Sequence, residues 1–301
     1  MIRPASFAYN EQTAHSNRFQ RQATTQVPGA EALVEFDRLH RALVAAGVAV
    51  CVVEDTREPA KPDAVFPNNW VSFHRDGTIV LYPMQAENRR AERRLDVLAA
   101  VERGLAFRCH HLLDFSAEEL AGRYLEGTGS LVLDHLKRVA YACRSPRTDA
   151  GLVREWTRAM GYEAELFDAA GADGTPIYHT NVLLAIGARS AVLCAEVVSG
   201  ADRERLRLRL EASGRECIEI SARAMHEFAA NVLELRAAGA GPDGRSILVM
   251  SARARAAFDG PQIERLAAAV DQIVDIAIPT IETLGGGGVR CMLAEVPECR
   301  A

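Results

Sequence analysis

"GTGSLVLDHLKRVAYACRSPRT", residues 127–148, decides the fold. It opens on small polar residues, runs into an apolar strand, turns at Leu136-Lys137 and returns as a second apolar strand. A helix-like stretch, "AGLVREWTRAMG" at 150–161, follows, and then the strand-like "EAELFD" at 163–168. Two apolar runs around a tight polar turn predict a hairpin, and a helical pattern closed by glycine predicts a crossover to a third strand. The same order returns three times. "NNWVSFHRDGTIVLYPM" begins at Asn68, "HTNVLLAIGARSAVLCAE" at His179 and "AANVLELRAAGAGPDGRSILVMSARA" at Ala229. Their turns fall at Asp76-Gly77, Gly187-Ala188 and Asp243-Gly244, good hairpin signals for the most part. Behind them come "ENRRAERRLDVLAAVERG", "DRERLRLRLEASG" and "PQIERLAAAVDQI", each with a helical pattern.

The first strands are expected near Trp70, Ser130, Val182 and Val232, at spacings of 60, 52 and 50 residues. A fifth start near Val289 follows 57 residues later, and the N-terminal segment must complete its unit. Five strand–strand–helix–strand units therefore fill the chain, which predicts an α/β fold with one domain over residues 1–301. Closing such units into a ring would bring the heads of all first strands to one axis. Asn69, Glu126, His179, Asn181, Asn231 and Cys291 fall at those heads.

Composition narrows the class. A 301-residue chain that is 49% hydrophobic and 25% charged suits a soluble globular enzyme, and its net charge of −5 offers nothing to nucleic acid or anionic membrane. The start, "MIRPASFAYNEQTAH", lacks the apolar core of a signal peptide, and the longest apolar run, "ALVAAGVAVCVV", is too short to span a bilayer. A cytoplasmic protein is expected. Seven cysteines, at 51, 109, 143, 194, 217, 291 and 299, contain no CxxC pair. Zinc spacing is missing and the odd count speaks against a disulfide framework, so neither metal nor other cofactor is expected.

One cysteine differs from the rest. "LGGGGVRCMLAEV", 284–296, sets Gly285 to Gly288 just ahead of Cys291. Four glycines weaken a strand but let backbone and ligand approach closely, so the stretch reads as a catalytic strand with Cys291 at its start. A thiol is mostly protonated at neutral pH and needs a partner to act as a nucleophile. His179, in "PIYHTNVLL", stands at the equivalent point of another repeat. Glu126, in "YLEGTGSLVLD", offers a glycine-flanked carboxylate with room for a ligand. His110 and His111 read as strand-edge or loop residues, and His74 and His135 as turn residues. "RRAERR", 89–94, mixes charges at helical spacing and reads as a solvated helix face. "RFQRQATTQVPGAEALVEFD", 18–37, contains a mobile loop ahead of its helix.

"FPNNW", "EGTGS", "RSPRT", "HTN" and "GGGGVRC", in that order, resemble the guanidino-group-modifying enzymes. This pentein, or amidinotransferase, superfamily includes arginine deiminases, dimethylarginine dimethylaminohydrolases and amidinotransferases. With "LYPMQAENRRAERR" and "IPTIETLGGGGVRCMLAEV" the resemblance narrows to the citrulline-utilisation hydrolases, or citrulline ureidases. It spans nearly the whole chain and implies a five-bladed α/β propeller. It also implies roles: Cys291 as nucleophile, His179 as acid and base, Glu126 as the carboxylate that orients the reacting group. Arg147 would hold the α-carboxylate of the substrate, with Asn69, Asn181 and Asn231 as further binding residues.

Asn69 and Asn181 depart from the deiminase pattern, which has aspartates there to clamp a cationic guanidinium. An asparagine supplies one carbonyl acceptor and two N–H donors, which matches a neutral ureido group better. The resemblance therefore implies a hydrolase that takes L-citrulline to ornithine, ammonia and carbon dioxide through a covalent cysteine intermediate. Its alternatives are an amidine hydrolase of the arginine deiminase or dimethylarginine dimethylaminohydrolase kind, and a ligand-binding pentein without catalysis. The implied partner is a small ureido or guanidino amino acid, and homo-oligomerisation stays open.

Overall fold

The hairpins expected at all four complete repeats form, and each gains a third, parallel strand. The computed structural model describes residues 1–22, 28–237 and 244–298. These gather into two units, one of residues 1–128, 278–287 and 291–298, the other of residues 129–277 and 288–290.

In the first unit, β1 (Ile2–Arg3) and β2 (Val53–Glu54) pair in parallel. Between them in sequence runs the helix Pro28–Ala45, which buries Ala32, Phe36, Leu39 and Leu43 along one stripe. β3 (Val71–Phe73) and β4 (Thr78–Leu81) form the hairpin, with Val71 opposite Leu81, and β5 (His111–Asp114) adds to β4 in parallel. The crossover helix Leu95–Gly104 lays Val97, Leu98 and Val101 against Trp70, Val71, Phe73 and Ile79. Phe73 and Phe107 meet edge to face at 5.4 Å. The hairpin turn needs Gly77, whose φ is +78° and whose added Cβ would stand 2.8 Å from the Arg108 carbonyl.

The second unit repeats this pattern three times. Its sheets are β6 (Val132–Asp134), β7 (Val139–Cys143) and β8 (Glu163–Phe167); β9 (Leu184–Ile186), β10 (Ser190–Leu193) and β11 (Glu216–Glu219); and β12 (Leu233–Arg236), β13 (Ser246–Ser251) and β14 (Gln272–Ile276). In each, the middle strand runs antiparallel to the strand before it and parallel to the one after. The middle strands are buried along their whole length, as continuous apolar runs require. Crossover helices Ala150–Met160, Gly200–Ala212 and Gly260–Ala269 link the second and third strands. Asp149 caps the first by accepting from the Leu152 amide, and Asp259 with Gln262 forms a reciprocal capping box on the last. At the β6–β7 turn, Asp134 Oδ1 accepts from the Leu136 and Lys137 amides at 3.0 and 2.9 Å, while Arg215 Nη1 grips Oδ2 at 2.6 Å. Asp243, in the last of the expected turns, lies outside the described residues.

The fifth start differs from expectation. Val289–Met292 is a helical turn, and residues 293–298 form no strand. Short helical turns also precede three first strands, at Pro67–Asn69, Gly127–Ser130 and Thr180–Val182. Asn69, Glu126, His179, Asn181 and Cys291 therefore sit on or beside helical turns, while Asn231 lies directly ahead of the strand that begins at Leu233. After Cys291 the chain has no preceding strand residues to continue: Gly285–Gly288 lack the side chains that favour a pleated ladder, and Gly286 adopts a left-handed φ of +64°.

Candidate active site

The glycines of 285–288 answer to crowding. A Cβ on Gly285 would stand 2.7 Å from the Phe66 ring, and one on Gly287 would stand 2.9 Å from that ring and 3.2 Å from the Cβ of Cys291. What comes close to these glycines is the Phe66 ring, and the segment is a turn and not the expected strand. N-terminal side chains fasten the same segment. Asn17 Nδ2 donates to the Gly285 and Gly286 carbonyls at 3.3 and 3.2 Å, and Gln20 Nε2 to Leu284 at 3.0 Å. The Glu35 carboxylate accepts from the Thr280 and Ile281 amides at 2.8 and 2.9 Å. Arg21 donates its amide to the Thr283 carbonyl at 2.7 Å, so this end of the expected mobile loop is tied down. Residues 23–27 of that loop lie outside the described residues. Cys291 itself is buried.

Glu126 and Asn69 belong to the same unit and are pressed together through backbone. Gly127 has φ +49°, and a Cβ there would fall 2.2 Å from the Asn68 carbonyl oxygen and 2.9 Å from that of Asn69. Thr128 Oγ1 donates to the Asn68 carbonyl at 3.3 Å. The buried Glu126 carboxylate accepts from the Gln85 amide at 3.0 Å. Asn69 Oδ1 accepts from Arg89 Nη1 at 2.9 Å, and Asn69 Nδ2 is buried with no hydrogen-bond partner among the described residues.

"RRAERR" is not a solvated face throughout. Arg89 and Glu92 are both buried and joined in a two-pronged pair, Nε and Nη2 each 2.9 Å from a Glu92 oxygen. Asp63 lies 3.7 Å from Arg89 Nε. Burial pushes the Glu92 carboxyl up to about 7, against the pull of Arg89. Burial also works against the charge on Arg89, but Glu92 and Asp63 outweigh it and hold the guanidinium cationic. Arg93 instead pairs with Glu119, and Arg94 with Asp96, nearer the surface. Alternating charges fix a helical repeat but not which charges turn inward. Here the helix stops after Glu87–Arg90 and restarts at Leu95–Gly104, which breaks the face that the spacing implies.

The second unit gathers the remaining residues. His179, Arg147, Asn181 and Asn231 are all buried. The His179 ring lies 4.6 Å from the Tyr178 ring, and the Arg147 guanidinium carbon stands 5.0 Å from the centre of that same ring. Ser145 Oγ donates to the Tyr178 carbonyl at 2.7 Å, Ser130 Oγ to the Arg147 carbonyl at 2.9 Å, and Thr180 Oγ1 to the Ser130 carbonyl at 2.6 Å. These bonds tie Ser130 and the "RSPRT" and "HTN" segments of the unit to one another. Asn231 Nδ2 donates to the Asn181 carbonyl at 3.1 Å, and a Cβ on Gly288 would stand 2.8 Å from Asn231 Oδ1.

Asp63, Asn68, Arg89 and Glu92 escaped the sequence reasoning. Asn68 is wholly buried with neither amide atom partnered among the described residues. The Asn-Asn doublet of "FPNNW" was the available signal, since side-by-side asparagines ahead of an apolar strand have no packing use. Among the other cysteines, burial pushes the Cys143 thiol up to about 12 and those of Cys194 and Cys217 to about 11, which makes all three poor nucleophiles. Cys299 lies outside the described residues. Among the described residues, no group of three or more His, Cys, Asp or Glu side chains could hold a metal, and no helix is long and apolar enough to cross a membrane.

Solved structures share the fold. The N-terminal domain of ArgZ, an arginine dihydrolase from the ornithine-ammonia cycle in Cyanobacteria, is 15% identical as a substrate-bound Cys-to-Ser mutant. The match covers 99% of this chain and 97% of that one, with a TM-score of 0.76. Unliganded AgrE is 15% identical over 100% of this chain and 39% of its own, with a TM-score of 0.77. A His-to-Gly variant of dimethylarginine dimethylaminohydrolase, as an adduct with S-methyl-L-thiocitrulline, is 16% identical over 97% and 96% of the two chains, with a TM-score of 0.63. No curated protein matches in sequence. The model of the family described as N,N dimethylarginine dimethylhydrolase, eukaryotic, matches residues 3–298, and the chain belongs to that family, within the guanidino-modifying enzymes of the pentein superfamily.

Proposed function

We propose that this protein is a cysteine hydrolase of ureido and guanidino C–N bonds and that L-citrulline is its substrate. Position 69 carries the substrate assignment: it is a buried amide whose Nδ2 has no partner among the described residues. Two N–H donors suit the carbonyl oxygen of a neutral ureido group. Facing a guanidinium, they would meet only other donors. Two relatives support the covalent chemistry. An Asn-to-Ser variant of the ArgZ domain is covalently bonded to a reaction intermediate, and the dimethylarginine dimethylaminohydrolase variant forms an adduct.

In this mechanism the Cys291 thiolate forms a bond to the ureido carbon. One C–N bond breaks, and His179 protonates the leaving nitrogen. Water, deprotonated by His179, then attacks the same carbon, and cleavage of the carbon–sulfur bond returns the thiolate beside a protonated His179. Glu126 orients the reacting group, Arg147 grips the α-carboxylate, and Asn181 and Asn231 complete the binding set. The carbamate breaks down without help, so citrulline and one water give ornithine, ammonia and carbon dioxide. The chain serves as one catalytic domain in which the four three-stranded sheets and the β1–β2 pair are the five blades of a pentein propeller. The single family match over residues 3–298 supports that reading.

Asp63, Glu92 and Glu126 favour a second reading, because with Arg89 they leave the Asn69 cluster short of positive charge. Arginine would enter as a cation, lose ammonia to become a ureido group, and be cleaved again by the same cysteine, as an arginine dihydrolase does. Ammonia and ornithine release from each substrate decides. Citrulline should be consumed with one ammonia per ornithine, at a higher kcat/KM than arginine. Arginine consumed faster, with two ammonia per ornithine, would hand the function to the second reading. No release from either would remove both.

His179→Ala should lower kcat by at least about 10²-fold, the lower range for a general acid and base. Wild-type kinetics in that variant would return His179 to a structural role. Replacing both asparagines, Asn69→Asp with Asn181→Asp, should move the kcat/KM ratio toward arginine by about tenfold or more, roughly 1.4 kcal/mol of restored counter-charge. A ratio that moves the other way would separate specificity from these two positions.

A further inference from the structure

We propose that Glu119 is a positioning residue for Glu126 and acts on it through one peptide group, that between Met84 and Gln85. The inference rests on the proposed mechanism, in which Glu126 works as an ionised carboxylate.

Glu126 is buried and accepts from the Gln85 amide at 3.0 Å. That contact matters in two ways. It favours the charged form of a carboxylate that burial disfavours. It also engages Oε1, which fixes the rotation of the carboxylate and the side it turns to a ligand. Residues 82–86 belong to no helix or strand, so nothing regular sets the direction of that N–H.

The direction is set from the far end of the same peptide. In a trans peptide the C=O and the N–H lie in one plane and point in opposite directions. The Met84 carbonyl accepts from Arg90 Nε at 3.2 Å, so Arg90 and Glu126 hold the two ends of one rigid group. The same Nε lies 3.3 Å from Glu119 Oε2. Glu119 Oε1 accepts from the Met84 amide at 2.7 Å, which sets the preceding peptide as well. Arg93 joins the cluster: its Nη1 and Nη2 donate to the two Glu119 oxygens at 2.6 and 3.0 Å, and Nη1 also donates to the Tyr82 carbonyl at 3.2 Å. The Leu125 amide donates to the Pro83 carbonyl at 3.3 Å, one residue ahead of Glu126.

Glu119 is the centre of this arrangement. It is the carboxylate between the Arg90 and Arg93 guanidiniums, which would repel each other without it. An exposed ion pair would do little. The Glu119 side chain is only 9% exposed, however, and it carries a backbone bond besides its two arginines.

Two variants remove the arrangement from different sides. Glu119→Ala deletes its centre. Arg90→Met leaves the Glu119–Arg93 pair whole and removes only the donor to the Met84 carbonyl, from a side chain that is partly exposed. Asp96→Ala breaks the neighbouring surface pair with Arg94 and serves as the control. The readouts are kcat, KM and the pH profile of kcat, with thermal unfolding, on whichever of citrulline and arginine the wild type cleaves. Both variants should lower kcat by about tenfold and leave KM within about threefold, because the lost contact serves the reacting group. The acid limb of kcat should also move up by about 0.5–1 pH unit, since a carboxylate that loses an N–H donor takes up a proton more readily. Arg89 and Glu92 also act on Glu126 through space, but neither is changed, so a limb belonging to Glu92 would stay in place. Asp96→Ala should match the wild type throughout.

An acid limb that stays in place in both variants overturns the proposal, even where kcat falls with the thermal midpoint, because that pattern is loss of folded enzyme. If Glu119→Ala does not fold, Arg90→Met decides. Wild-type kcat in Glu126→Gln also overturns the proposal and leaves the hydrolase reading standing. A wild type that cleaves neither compound removes the hydrolase reading and the positioning role with it.

Discussion

Cys291→Ala should abolish turnover, by at least about 10⁴-fold, while the protein stays folded. In the proposed mechanism this change removes the nucleophile and with it the covalent path, leaving binding and electrostatics around an unattacked carbon. The fold should survive because the change deletes one sulfur from a turn whose neighbours are glycines and the Phe66 ring. A destabilisation of about 1 kcal/mol is expected, at the small end of core truncations. Iodoacetamide provides an independent check. At pH 8 it should label Cys291 ahead of Cys143, Cys194 and Cys217, whose thiols burial holds at about 11 to 12, and citrulline should protect Cys291. Substantial ammonia release by folded Cys291→Ala would rule out the covalent mechanism. Preferential labelling of another cysteine would rule out an activated thiol at 291.

Gly127→Ala should be nearly as harmful to activity, although the residue has no functional group. Two costs add. An alanine at φ +49° sits in the left-handed region, worth roughly 1–2 kcal/mol against an L residue. Its methyl would also land 2.2 Å from the Asn68 carbonyl oxygen, and backbone cannot rotate away as a side chain tip can. Relief of that contact must shift either "FPNNW" or "EGT", so Asn69 or Glu126 moves. A displacement of about 1 Å at a reacting centre is enough for a loss near 10²-fold. We expect a fall in thermal midpoint together with a fall of about that size in kcat/KM. The size should be similar for citrulline and arginine, since the same shift of Asn69 or Glu126 meets both substrates. Wild-type kinetics would show that the two segments are not coupled to the chemistry.

The hairpins and crossovers were legible because their signals are local. First strands expected near Trp70, Ser130, Val182 and Val232 begin at Val71, Val132, Leu184 and Leu233. Apolar alternation, a turn and a capped helix are read within about forty residues, and nothing distant overrides them. The fifth start failed for the converse reason: the conformation of Gly285–Gly288 is set by Phe66, Asn17, Gln20 and Asn231, none of them nearby in sequence. Arg89 failed likewise. Its spacing to Glu92 is that of any surface helix pair, and only Asn69 and Asp63, brought in by folding, turn it into an interior residue. Candidate catalytic side chains stand out more readily than buried charges, because a lone histidine or a glycine-flanked cysteine is conspicuous in a sequence and a helical arginine is not.

The fastening of residues 280–286 by Asn17, Gln20 and Glu35 has a consequence for biosynthesis. These partners lie 245 to 269 residues apart in the chain. At about 5–20 residues per second, the ribosome needs roughly 12–50 seconds to supply the second half of each contact. Residues 129–277 can pair their hairpins as they emerge, because each strand meets its neighbour within one repeat. Residues 1–128 cannot finish: until the segment from Ile278 emerges, the Glu35 carboxylate has no amides to cap and the Phe66 ring has no glycines above it. The first half to be synthesised is thus the last to be completed, and it is there that a nascent chain is most exposed to proteases and most in need of chaperones.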